Sequence, residues 1–193
     1  MTKILILTAL AAELEDQPLP FDLPVVFTGV GKVHAALAAL EAIRDHRPDC
    51  VVNYGTAGGV SARAVGLHEV GEVLQRDMMA EPLAPRGQTP FDDTPVRLRS
   101  TSADPQALVC ATGDSFVSST DPWLHAQGVD LVDMELWGIA MACRRLGVAW
   151  RAWKYVSDNA NEHSPSDWAD NVHRGRAAFV EALHQAWPAH PLP

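Results

Sequence analysis

The chain has 193 residues, 47% of them hydrophobic and 20% charged, with 15 Lys and Arg against 24 Asp and Glu for a formal net charge of −9. That length suits one domain with a sizeable core, and the near-average composition excludes extended disorder, collagen-like repeats and coiled coil. The acidic surplus excludes a general nucleic-acid binder, which needs Lys and Arg to neutralise phosphates, but leaves a small nucleoside ligand open.

Short apolar runs alternate with helical patterns. Residues 3–8 (KILILT) form a continuous β-branched and Leu run, as in a strand buried on both faces. Glu13, Glu15 and Asp16 follow with no small-residue cleavage site, and the run is too short to span a bilayer. A first strand is therefore expected here, not a signal peptide or a membrane anchor. Residues 25–28 form a second short run ending at Gly29-Val30-Gly31. Val33, Ala36, Leu37, Leu40 and Ile43 then recur at helical spacing, with Glu41, Arg44 and Asp45 on the other side, until Pro48 closes the helix. Residues 50–54 are the next strand, running into a Gly-rich turn over 55–59.

Strand-like segments follow at 72–75 and 107–111. Between them, residues 81–105 hold five of the fourteen prolines, which predicts an irregular excursion with a short strand at 96–99. Residues 134–146 read as a helix with Asp133 as N-cap and Gly147 at its end. Residues 148–156 read as a strand, and 166–187 as one final helix stopping before Pro188. Strands alternating with helices predict an α/β fold: a single domain over residues 1–193, with a central mixed, mostly parallel twisted sheet flanked by helices.

Cys50, Cys110 and Cys143 are an odd, widely spaced set with no CxxC pair, and the eight His are scattered without metal-ligand spacing. No disulfide framework and no metal site are expected, and a reducing, cytoplasmic setting fits. Trp123, Trp137, Trp150, Trp153 and Trp187 read as core or subunit-contact residues in so acidic a chain, rather than as a nucleic-acid stacking platform.

Two Gly-rich segments follow strands, at 28–32 and 55–59. The first cannot be a Walker A loop, because positions 26 and 33 are both Val, and His34 breaks a dinucleotide fingerprint starting at Gly29. Each segment is equally consistent with tight-turn geometry and with a ligand cradle, and no nucleotide cofactor is implied. Three carboxylates, Glu13, Glu135 and Asp158, lie where apolar strands end or helices begin. In open α/β sheets, ligands collect beyond the carboxyl ends of strands. Each also has a plain reading: Glu13 and Glu135 as first-turn acids on helix N-termini, Asp158 as a turn residue.

In chain order the sequence contains LTALAAE (7–13), TGVGKVHAA (28–36), VVNYGTAGG (51–59), ATGDSF (111–116), VDMELWGIA (132–140) and VSDNA (156–160). This set resembles the nucleoside phosphorylase and nucleosidase superfamily, and within it is most similar to the 5'-methylthioadenosine/S-adenosylhomocysteine nucleosidase branch. No block is specific alone; Gly-Val-Gly-Lys, Gly-Thr-Ala-Gly-Gly, Asp-Met-Glu and Ser-Asp at these successive spacings are specific jointly. The resemblance implies a nucleoside phosphorylase-like three-layer fold and cleavage of a purine N-glycosidic bond. It implies that Asp158, oriented by Ser157, is the general acid that protonates the leaving base at N7. Glu135 falls where the family binds the ribose 2'- and 3'-hydroxyls, and its charge would stabilise an oxocarbenium-like sugar. Met134 would pack beneath the sugar, Phe116 would stack on the base, and Ala57 and Gly58 would bring backbone against the nucleoside. Trp168 would close over the 5' substituent. Phe116 and Trp168 also read as ordinary core residues.

Phosphorolytic members carry an Arg two residues before the Gly-Ser/Thr turn and another in the loop after strand one. Here the first position is Asn53 and no Arg precedes Arg44. A phosphate dianion would meet Glu13, and like charges at close range repel strongly in a low-dielectric cleft. Glu13 suits instead a general base that takes a proton from water. Asp at 158 can bond both protonated N7 and a 6-amino group, which favours adenine. The expectation is a cytoplasmic, cofactor-free purine nucleosidase acting on a 5'-modified adenosine such as 5'-methylthioadenosine or S-adenosylhomocysteine. Water is its co-substrate, nucleic acid and membrane are not partners, and the resemblance implies a homodimer. The alternatives are a phosphorylase and a non-catalytic nucleoside-binding protein on the same fold. The chain departs from the branch at Asp133, where Glu is usual, and at Trp137, where small residues are common. Its Pro-rich middle is shortened and lacks the helix expected before Ala107, in a region that contributes to the 5' pocket.

Overall fold

The run that opens the chain forms β1 (Ile4–Thr8), and all five of its residues are buried. Alternate side chains serve two cores. Leu5 and Leu7 pack with Ala35, Ala39, Leu136 and Ile139 on one face of the sheet, while Ile4 and Ile6 pack with Val52, Tyr54, Phe179 and Leu183 on the other. A strand covered on both faces has no reason to alternate in polarity, which accounts for the continuous run. The structure, a computed structural model, describes residues 2–20, 22–119, 121–161 and 164–188.

After β1 come a single 3-10 turn (Ala11–Leu14), β2 (Val25–Phe27), α1 (Lys32–His46), β3 (Cys50–Gly59) and β4 (Leu67–Gln75). Then follow β5 (Arg97–Arg99), β6 (Leu108–Thr112), α2 (Pro122–Ala126), β7 (Leu131–Asp133), α3 (Leu136–Leu146), β8 (Ala149–Asp158), α4 (Ser164–Asn171) and α5 (Arg176–Ala186). The strands form one mixed sheet in the order β2-β1-β3-β7-β6-β4-β5, with β8 pairing to both β3 and β4. Five of the eight pairings are parallel, so the sheet is mixed and mostly parallel, as expected. β1, β2, β3 and β8 run one way and β4, β6 and β7 the other, meeting antiparallel at β3/β7 and β4/β8. Helices α1 and α3 cover one face and α5 the other, giving three layers. Gly138 lets α3 approach α1 closely, since a Cβ there would collide with the Lys32 carbonyl oxygen.

Four local expectations change. The segment 55–59 is not a turn: it continues β3, paired with β8 on one side and β7 on the other. Its glycines make room, because a Cβ on Gly58 would lie 2.9 Å from Asp158 Oδ1. The helix expected from 134 begins at Leu136, and Asp133 ends β7, although its Oδ2 still accepts from Leu136 N at 2.9 Å. The single final helix is two, α4 and α5, broken over 172–175. Gly175 lies so tightly on the sheet that a Cβ would come within 2.5 Å of Tyr155 Cβ and Tyr54 Oη, so no side chain fits where the two helices join. Finally, α2 and β7 leave no periodic signal at five and three residues. The Pro-rich stretch is irregular up to β5, as its composition predicts. Trp137, Trp150 and Trp153 are buried. Among the described residues no helix is long and apolar enough to cross a membrane.

Candidate active site

Residues at the carboxyl ends of β1, β3, β4, β6, β7 and β8 border one cavity of about 260 Å³. Strand ends gather exposed backbone and loop side chains at one place, which is why open α/β sheets bind ligands there. All nine residues singled out from the sequence line it: Glu13, Ala57, Gly58, Phe116, Met134, Glu135, Ser157, Asp158 and Trp168.

The three carboxylates are not solvated: Glu13 is 4% exposed, Glu135 8% and Asp158 9%. Glu13 sits in the 3-10 turn after β1. Its Oε2 accepts from Thr8 Oγ1 at 2.8 Å, Ala9 N at 3.0 Å and Leu10 N at 3.2 Å. Its Oε1 accepts from Thr56 N at 2.8 Å and Thr56 Oγ1 at 3.1 Å. Five donors offset the desolvation of a buried charge.

Glu135 stands at the start of α3 but serves a different helix: its Oε1 accepts from Gly31 N at 3.0 Å, at the N-terminus of α1. Gly31 has φ +95, a conformation that favours glycine, and this presents its N–H to the carboxylate. Burial, with the Asp133 charge adding to it and Lys154 opposing, pushes the Glu135 carboxyl up to about 7. Asp158 closes β8, where Oδ2 accepts from Ser157 Oγ and Oδ1 from Ala160 N, both at 2.9 Å.

Behind Glu135 lies a buried ion pair that the sequence did not announce. Lys154 Nζ is 2.8 Å from Asp133 Oδ2, with side-chain exposures of 1% and 0%. Burial opposes the charge on Asp133, but the Lys154 ammonium and hydrogen bonds from Lys154, Thr112 Oγ1 and Leu136 N hold its pKa below the usual carboxylate range. Burial likewise opposes the charge on Lys154, and Asp133 and Glu135 overcome it, keeping the ammonium protonated. The available signal was a lone Lys inside a buried apolar strand, which requires a partner.

Phe116 is 49% exposed and faces the cavity, so it is not a core residue. Arg76, which sequence reading missed, holds the segment in front of it. Its guanidinium donates to Gly113 O at 2.9 Å, to Ser115 Oγ at 3.1 Å and to Ser115 O. Lys32 Nζ, Asp77 and Asp114 fasten the same segment to α1: Asp114 Oδ1 accepts from Lys32 N at 2.8 Å, and Asp77 Oδ2 accepts from Asp114 N at 2.9 Å. Trp168, on α4, is half-buried and donates from Nε1 to Thr56 Oγ1 at 3.0 Å.

Among the described residues Arg76 is the only arginine lining the cavity; both its terminal nitrogens bond to the 113–115 backbone and Ser115, and its buried Nε has no partner. Asn53, at the position where phosphorolytic chains carry Arg, is buried and donates to Leu7 O at 2.9 Å, tying β3 to β1. Among the described residues no group of three or more His, Cys, Asp or Glu could hold a metal ion.

The profile of the phosphorylase superfamily matches residues 23–186. A 5'-methylthioadenosine/S-adenosylhomocysteine nucleosidase of Shewanella oneidensis is 31% identical over 186 residues, covering 84% of this chain and 76% of that protein. Among solved structures, the nucleosidase of the same description from Helicobacter pylori superposes with TM-score 0.83 at 22% identity, over 95% of this chain and 97% of that one. A futalosine hydrolase of Helicobacter pylori superposes with TM-score 0.81 at 22% identity, over 94% and 95% of the two chains. At such identities the structural likenesses speak to the fold.

Proposed function

Because the chain belongs to the phosphorylase superfamily, we propose that its cavity is the active site of a purine nucleosidase. It would hydrolyse the N-glycosidic bond of a 5'-modified adenosine, of the 5'-methylthioadenosine or S-adenosylhomocysteine type, and release adenine. The observation that carries this reading is the convergence of three buried carboxylates, Glu13, Glu135 and Asp158, on one cavity, with Asn53 and Glu13 at the places where phosphorolytic chains carry arginine. The name of the Shewanella oneidensis relative supports the substrate class.

In this reading Asp158, oriented by Ser157, gives its proton to N7 as the base leaves with the bonding electron pair. The sugar becomes oxocarbenium-like, and Glu135 accepts bonds from the 2'- and 3'-hydroxyls while its negative charge stabilises the cation. Water attacks C1' and passes a proton to Glu13, so that oxygen joins the sugar and the products are adenine and the free pentose. Phe116 stacks on the base, Met134 lies under the sugar, Ala57 and Gly58 place backbone against the nucleoside, and Trp168 walls the 5' group. No step is routed through a metal or cofactor.

The exposed apolar side chains Phe27, Val33 and Leu37, beside Val30 at the cavity, support a homodimer whose second copy helps to close the 5' end. Three free cysteines fit a reducing cytoplasm. The test is a panel of 5'-substituted purine nucleosides assayed for free base in phosphate-free buffer. Adenine release from the 5'-thio compounds is expected. Strict dependence on added phosphate would replace hydrolysis by phosphorolysis, and binding without turnover would leave a nucleoside-binding protein.

A further inference from the structure

The indole of Trp168 makes a bond that a simple wall for the 5' group does not require. Its Nε1 lies 3.0 Å from Thr56 Oγ1, and that hydroxyl lies 3.1 Å from Glu13 Oε1. The Thr56 amide donates to the same oxygen at 2.8 Å. Chemistry fixes the direction of the chain, because an indole N–H only donates and an ionised carboxylate only accepts. Thr56 Oγ1 therefore accepts from Trp168, and its single proton goes to Glu13. The indole occupies a lone pair of the hydroxyl and so fixes the rotamer whose proton points at Glu13, satisfying both neighbours.

We propose that Trp168 and Thr56 are positioning residues for the base. The Trp168 N–H orients the Thr56 hydroxyl, which together with the Thr56 amide holds Glu13 in the attitude from which it takes the proton of the attacking water. The inference rests on the hydrolytic reading of the cavity. Three segments remote in sequence are joined by it: the turn after β1, the glycine-rich end of β3, and α4. The same short helix reaches the acid as well, since Asn171 Nδ2 donates to Ser157 O at 2.8 Å, next to Asp158. One element thus sets the attitude of the groups on both sides of the scissile bond.

The experiment measures adenine release from 5'-methylthioadenosine in phosphate-free buffer. Trp168→Phe keeps an aromatic ring but removes the N–H together with part of the indole, so kcat should fall about 5- to 10-fold through the lost hydrogen bond, while lost contact with the 5' group appears in KM. Thr56→Ser keeps the hydroxyl and should behave as wild type, whereas Thr56→Val should be slower than either. In the Thr56→Val background, Trp168→Phe should change kcat no further, because no hydroxyl remains to orient. An effect of Trp168→Phe confined to KM, or a kcat effect that persists undiminished on Thr56→Val, overturns the proposal. A wild-type protein inert toward every nucleoside tested would overturn the hydrolytic reading itself, and this inference with it.

Discussion

Glu135→Gln removes a buried charge while keeping the size of the side chain and an oxygen for the Gly31 N–H. Burial, aided by Asp133 and opposed by Lys154, raises the Glu135 pKa from 4.5 to about 7. A carboxyl with a higher pKa in the folded state binds its proton more tightly there than in the unfolded chain. Raising the pH above the unfolded value therefore costs the folded state progressively, until the folded group also ionises near pH 7. A shift from 4.5 to about 7 corresponds to roughly 3 kcal/mol once both forms are ionised. Gln carries no such cost. Urea unfolding at about pH 4 should find the two proteins alike, and at about pH 8 the variant should be the more stable, by up to roughly 3 kcal/mol. Turnover should move oppositely, because the variant loses charge-assisted bonds to the ribose worth about 1.5–3 kcal/mol each. A variant no more stable than wild type at the higher pH, or a difference that does not grow with pH, would refute the argument.

Other substitutions probe the rest of the cavity. Asp158→Asn should lower kcat by about 10²- to 10⁴-fold while its bonds to Ser157 and Ala160 keep the fold intact; unchanged steady-state turnover would remove its role as acid. Lys154→Met strands Asp133 in a site with no solvent and should cost about 3–5 kcal/mol in thermal or urea unfolding. The double variant Asp133→Asn/Lys154→Met should recover most of that, and a single variant within about 1 kcal/mol of wild type would mean that the pair is screened. Arg76→Met releases the segment before Phe116 and should raise KM by about 10-fold with a smaller change in kcat, since stacking holds substrate and transition state alike. A loss confined to kcat would place Arg76 in the chemistry instead.

Sequence pattern located the cavity well because the residues it marked sit where apolar runs stop, and the stops of six strands border one cleft. It located the supports poorly. The hydrogen bonds that seat Arg76 go to main-chain carbonyls and a serine of another segment, and carbonyls carry no sequence signature. Lys154 and Asp133 meet only because β8 and the β7–α3 junction converge behind the pocket. Read singly, Glu13 and Glu135 are ordinary first-turn acids. Their burial follows from donors that arrive from Thr56 and Gly31 on distant elements. The division of the last helix was hidden too, because the apolar pattern runs on through residue 175, where the sheet beneath leaves no room for a side chain.

The balance of charge in the cavity bears directly on the charge that develops on the sugar. Lys154 is paired with Asp133, whereas Arg76 bonds to neutral groups of the 113–115 segment, keeps its charge and leaves its buried Nε without a partner. With Asp158 carrying the proton for the base, Glu13 and Glu135 are the carboxylates beside the place of the sugar, and Arg76, at the Phe116 end, is the one cation among the described residues that line the cavity. Two buried carboxylates at that spot favour a developing positive charge on the sugar, and they are in place before any ligand arrives. The Glu135 carboxyl is raised chiefly by burial, with the Asp133 charge adding to it and Lys154 opposing. A cationic ribose at the same spot would stabilise the ionised form that burial disfavours. A positively charged transition-state mimic should therefore bind more tightly than its neutral isostere, by a margin that shrinks in Glu135→Gln. Equal affinities for the two would mean that the carboxylates act through hydrogen bonding alone.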